Sequence, residues 1–336
     1  MKTTAQAETS REEAREADGK FGAQIRCEPD SNESMAERPF DIYEHVTWHD
    51  DELAVYDMDS LEGLTRRRLS ASTSKAIQDC PAKWASERVS PKHEDPWRAA
   101  EQGTAVHHVL EKLYNLPANE RTNAKAQQYL DELAVQTFPD HTHKHIERVE
   151  RIRMVWKDRV RHKMAGLKRI EKSSEANVFA TELKINDVDL NGVPFVGFID
   201  RVDEIDGGGL KTIDLKTAKK MPVLKHGDFH GDQVRLYSEA LKAKYGRQPA
   251  AGSLFYTQVG KERAVDLSAE AVADTLSRFK QSWEDLQEFN DTGLYPAKPS
   301  PSCIWCPVKD TCPSGNREGF ANPAPPEDVD DGYHPE

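Results

Sequence analysis

Apolar positions along the chain follow two periods, and the alternation between them sets the expected elements. Val106, Val109, Leu110, Leu113 and Tyr114 recur at helical spacing and predict a helix over 103–116. The same reading predicts helices over 124–135, over 232–245 (Val234, Tyr237, Leu241, Tyr245) and over 271–289 (Val272, Leu276, Phe279, Trp283, Leu286). Ser72, Thr73 and Ser74 offer N-caps to a helix carrying Ile77, Trp84 and Val89, interrupted near Pro81. Strands are expected over 177–185, 196–202, 210–216 and 250–259, with 263–267 beside the last. A turn falls near Asn191-Gly192, and Asp206-Gly207-Gly208-Gly209 reads as a hairpin, because glycine reaches the positive φ of tight turns. The order of helix, three strands, helix and strand predicts an α/β fold: a mixed central sheet flanked by helices, with helical additions before and after.

Composition bounds this picture. The 336 residues can bury one large core or two small ones. Residues 1–40 are polar, rich in Glu and Ala, and read as a disordered acidic leader; 319–336 read as a disordered tail. Residues 41–70 form an extension with no assigned function. No apolar run is long enough to span a membrane and no signal peptide is visible, so a cytoplasmic protein is expected. A net charge of −12 argues against a DNA-coating protein, yet 143–172, expected to be helical, carries eleven cations against four acids, and Arg151, Arg153 and Lys157 are candidates for phosphate contact. A solvated helix face explains the same excess. No Walker-type phosphate loop, and hence no ATP motor, is visible.

Candidate chemistry concentrates in 196–216. Alternation places Val196, Phe198, Asp200 and Val202 on one face of the first strand and Thr212, Asp214 and Lys216 on one face of the second. Two carboxylates on neighbouring strands with a lysine beside them suit Mg²⁺ or Mn²⁺ and phosphodiester hydrolysis, with Lys216 orienting water or neutralising phosphate charge. A solvated polar hairpin is the bland alternative, and Glu182-Leu183-Lys184 is a rival triplet. His107 and Glu111 share a helix face, as do Gln233 and Tyr237. Cys80 and the group Cys303, Cys306 and Cys312 can together hold an iron–sulfur cluster or a zinc ion; Cys27 lies in the leader.

In order along the chain, Cys80-Pro81, Gly103-Thr104-Ala105-Val106-His107, Gly197-Phe198-Ile199-Asp200, Asp214-Leu215-Lys216, Gln233 to Tyr237 and Cys303-x₂-Cys306-x₅-Cys312 resemble the PD-(D/E)XK nuclease superfamily. The resemblance is to its RecB-like, iron–sulfur branch, which includes the AddB nuclease domain and the Cas-four exonucleases. It implies a nuclease domain over 71–318 and favours Asp214 and Lys216 over the Glu182 triplet. Carried over, His107, Asp200, Asp214 and the Leu215 carbonyl bind Mg²⁺ or Mn²⁺, with Asp200, Asp214 and Lys216 catalytic and Gln233 and Tyr237 holding substrate. Cys80, Cys303, Cys306 and Cys312 bind a [4Fe–4S] cluster. The implied activity is a DNA exonuclease acting on single-stranded ends, with a helicase or a recombination or annealing protein as possible partner. The alternative is a non-catalytic DNA-binding subunit of a repair or CRISPR adaptation complex with a structural Cys₄ metal site.

Overall fold

The computed structural model describes residues 40–92, 95–142, 145–222 and 228–320. The expected leader and tail, apart from residue 40 and residues 319–320, lie outside the described residues, as does Cys27. From residue 40 the chain forms strands β1 (Val46–His49) and β2 (Glu52–Val55), then helices α1 (Met58–Leu64), α2 (Ala71–Asp79) and α3 (Pro81–Val89). Helices α4 (Ala99–Tyr114), α5 (Asn123–Thr137) and α6 (Ile146–Met164) follow. Next come β3 (Val178–Leu190), β4 (Val193–Ile205), β5 (Gly209–Lys216), α7 (Phe229–Tyr245), β6 (Pro249–Tyr256) and β7 (Lys261–Ala264). Helix α8 (Ala269–Thr292), β8 (Leu294–Pro296) and the short α9 (Pro313–Arg317) complete the order. Two compact units result. The larger lies within His93–Ser277, and the smaller joins the described parts of Asn32–Lys92 and Arg278–Glu336.

The larger unit is built on a mixed five-stranded sheet, β3-β4-β5-β6-β7, antiparallel throughout except for the parallel pair β5 and β6. Gly207 and Gly208, with φ of 80° and 78°, turn the chain between β4 and β5, where Ile205 pairs with Gly209. Side chains of the central strands alternate between two helical layers. Ile213, Leu215 and Phe255 join the core made by α4, α5 and α6, while Leu254 and Tyr256 pack with Val234 of α7. The expected mixed sheet flanked by helices is the observed one.

Strands β3 and β4 run longer than the sequence pattern suggested, and the basic helix is shorter, ending at Met164. Gly166 follows two residues after that end. A Cβ there would lie 2.4–2.7 Å from the backbone of Thr257, Gln258 and Gly260, so only glycine lets the chain pass the β6–β7 turn this closely.

In the smaller unit β2 pairs with both β1 and β8, and Leu53, Leu64, Leu69, Ile77 and Tyr295 are fully buried. Ser70, not Ser72, Thr73 or Ser74 as expected, caps α2 by accepting from the Thr73 amide at 3.1 Å; the other three lie within the helix. The break expected near Pro81 falls at Cys80, which ends α2 and caps α3, with Pro81 in the first turn, where its missing N–H costs nothing.

Candidate active site

The sheet register lines up three carboxylates. Between the pairs Thr181–Arg201 and Leu183–Ile199, Glu182 stands across from Asp200; one step past Arg201–Ile213, Asp200 stands across from Asp214. Like charges placed directly across strands repel, so this row is maintained against its own electrostatics. Glu182 also holds φ at 43°, a left-handed conformation that costs a non-glycine residue about 1 kcal/mol or more.

Helix α4 brings His107 to the row. Its apolar stripe is buried against α5 and α6, which leaves the imidazole Nδ1 3.2 Å from Asp200 Oδ1 and 3.8 Å from Glu182 Oε1. The ligating atoms of His107, Glu182 and Asp200 lie within 4.8 Å of one another. The second Asp200 oxygen accepts the Leu215 amide at 2.6 Å, which fixes that peptide unit beside the group. Burial disfavours the His107 imidazolium, but Asp200, followed by Glu182 and Asp214, outweighs it and raises the pKa to about 9. One imidazole and several carboxylate oxygens form a donor set suited to Mg²⁺ or Mn²⁺. The raised pKa reports negative charge that a cation would neutralise.

Asp214, only 1% exposed, pairs with Lys216 Nζ at 2.8 Å. Burial raises its pKa to about 6; Lys216 opposes that shift and Asp200 adds to it. Lys216 in turn donates to Gln233 Oε1 at 3.0 Å, and the Gln233 amide donates to the Tyr237 hydroxyl at 2.8 Å. One ion pair and two hydrogen bonds thus connect the four residues from β5 to α7. Gly197 makes room for its end: a Cβ there would meet the Phe195 ring at 2.6 Å and the Tyr237 ring at 2.8 Å.

A family model of the PD-(D/E)XK nuclease superfamily matches residues 68–313. The chain belongs to this superfamily. A search of curated proteins gives no match. In this PD-(D/E)XK protein the sequence-derived residues His107, Asp200, Asp214, Leu215, Lys216, Gln233 and Tyr237 come together. Glu182, set aside in the sequence as part of a rival triplet, joins them, whereas Glu111 does not belong to the three-residue ligand group. The signal that could have found Glu182 was its place in the strand preceding the Gly-x-x-Asp strand, at the position the register sets opposite Asp200.

Behind the row, Arg201 is 1% exposed and bidentate to Glu171 at 2.6 and 2.7 Å. It also bonds Asp203 at 3.0 Å and lies 4.3 Å from the Tyr114 ring centroid. Since Tyr114 is on α4, this cluster braces the helix of His107 against the strand of Asp200.

All four cysteines of the expected second centre lie in the smaller unit and line one cavity as free thiols. Cys80 accepts from the amides of Lys83 and Lys298, Cys303 from that of Ser300 and Cys312 from that of Gly315, all at 3.3–3.4 Å. Such N–H groups favour thiolates. Burial nonetheless pushes the Cys306 thiol up to about 11. No three of the four sulfurs lie within 4.8 Å of one another. A tetrahedral zinc site, with Zn–S of about 2.3 Å, needs them about 3.8 Å apart.

Two of the three cations of α6 that are candidates for phosphate contact have acids beside them. Arg153 pairs with Asp140 at 2.7 Å and Lys157 with Asp131 at 2.5 Å, while Arg161 pairs with Asp158 and donates to Gln127 at 3.0 Å. These cations secure α6 to its neighbours. The acids that neutralise Arg153 and Lys157 come from α5 and the segment after it.

Proposed function

We propose that this PD-(D/E)XK protein is a Mg²⁺- or Mn²⁺-dependent DNA exonuclease of the RecB-like branch, acting from single-stranded ends in recombination, repair or phage DNA metabolism. The observation that carries the reading is the carboxylate row Glu182–Asp200–Asp214, met by His107 on one side and by Lys216 on the other. His107, Glu182, Asp200 and Asp214, with the Leu215 carbonyl, would hold the ion, and when bound there it supplies Lewis acidity toward the scissile phosphate and lowers the pKa of water.

The protein's own groups do the rest. Asp214 and Gln233 hold the Lys216 ammonium in one orientation, where it directs the attacking water and faces the charge that develops on phosphate. Tyr237 fixes Gln233. Cys80, Cys303, Cys306 and Cys312, which line one cavity, would hold a [4Fe–4S] cluster as a structural clasp within a nuclease domain over 71–318. No helix among the described residues is long and apolar enough to cross a membrane, which accords with the cytoplasmic setting we propose.

The test is digestion of end-labelled single-stranded and duplex DNA by anaerobically purified protein with Mg²⁺, Mn²⁺ or EDTA, beside Asp214→Ala. Laddering that requires both metal and Asp214 is expected, with DNA binding retained by the variant. Protein that keeps its cluster and binds DNA but never cleaves it would establish the binding-subunit reading instead.

A further inference from the structure

Arg153, Lys157 and Arg161 of α6 have acids beside them, whereas Lys163, the most buried cation of that helix, does not. It is 9% exposed, and among the described residues it has no carboxylate partner. The charge that bears on it is a second cation, Lys219, so burial and then Lys219 lower its pKa. An ammonium in a largely buried residue, with no acid beside it, gains from an anion brought to it.

The position of Lys163 suggests the source of that anion. Its carbonyl accepts from Thr257 Oγ1 at 2.8 Å, and the Thr257 amide donates to the Lys216 carbonyl at 2.9 Å. One residue therefore links the backbone of Lys163 to that of Lys216. Thr217 is packed against α4, since a Cβ on Gly103 would lie 3.1 Å from its Oγ1. The end of α6, the start of α4 and the chain leaving β5 thus converge beside the carboxylate row, with Lys163 on the first of these segments and Lys219 on the last. Anions of a polymeric substrate repeat along its backbone, so a strand cleaved at the row must place further phosphates nearby.

We propose that Lys163 and Lys219 form a phosphate subsite that grips the substrate strand next to the scissile bond. This rests on the nuclease reading above. The strand's phosphate replaces the missing carboxylate, which makes the pair a positioning device rather than part of the hydrolytic chemistry.

The experiment compares the full-length protein with Lys163→Gln, Lys163→Arg and Lys219→Gln, using a short single-stranded oligodeoxynucleotide in EDTA over a salt series, followed by cleavage kinetics with Mn²⁺. Each Gln variant should bind about tenfold more weakly at low salt. The slope of log affinity against log salt should fall by about 0.7 for each lost contact. KM should rise while kcat is nearly kept, and Lys163→Arg should retain the parent slope. Lys163→Gln should melt no lower than the parent, since it removes a charge the fold disfavours. Unchanged affinity and slope in both Gln variants, with a parent that binds and cleaves, would overturn the subsite and leave the nuclease reading intact. A parent that neither binds nor cleaves the strand would overturn both. Lys219 is exposed, so its variant answers the question even if Lys163→Gln folds poorly.

Discussion

Glu182 shows how a residue can be chemically prominent and hard to recognise. Its neighbours Leu183 and Lys184 mimic an acidic-x-Lys triplet, and only the β3–β4 register reveals that it faces Asp200 while Lys184 lies 5.8 Å from the Phe198 ring centroid. Glu182→Gln should raise the Mn²⁺ concentration for half-maximal cleavage roughly tenfold or more, measured by metal titration of activity. Protonation follows from the same cluster. The His107 pKa is raised by its partners, so below about pH 9 the metal-free imidazole is mainly protonated and must lose a proton to bind a cation. Apparent metal affinity should therefore rise as pH increases from 7 to 8, by up to about tenfold, read from binding isotherms at constant ionic strength. His107→Gln should flatten that dependence.

Elements were legible where a local rule fixes them. Pro81 and the glycines at 207–208 each act through their own backbone, and the expected helix break and hairpin occur, whereas the helix cap falls on Ser70 instead of Ser72, Thr73 or Ser74. The residues that meet at the row were legible through motif order, without any view of how they touch. Longer-range terms were not legible. The cations of α6 looked available because their partners Asp131 and Asp140 belong to other segments, and β2 gave no sign that it would pair with residues 294–296. Gly197 shows the same limit in reverse: its motif position was plain, but the reason is the Phe195 and Tyr237 rings that occupy the space of a side chain. Gly197→Ala should displace Tyr237, lower stability by about 1–3 kcal/mol in urea unfolding, and reduce cleavage even where folding is complete. A variant equal to the parent in both measurements would mean that the rings yield freely.

At the scale of the whole molecule, the family match spans both units, although the row and its lysine lie entirely in the larger. The four cysteines lie entirely in the smaller unit, so the proposed cluster is expected to act first on the stability of that unit. Cys306→Ser should lose visible absorbance and lower the melting temperature by several degrees, because the closed loop is long and its closure entropy correspondingly large. Reduced activity in that variant should follow its unfolded fraction; a parent-like melting curve would remove the clasp from the account.

The smaller unit is assembled from two stretches that flank the larger in sequence, with Cys80 before it and Cys303, Cys306 and Cys312 after it. On the ribosome the larger unit can therefore collapse as soon as it emerges, while Cys80 waits through more than two hundred residues for its companions. A chain released early would carry every residue of the carboxylate row and none of the later thiols. Completion of the cysteine set is then a record that synthesis reached residue 312, written into the molecule after its hydrolytic residues are already in place.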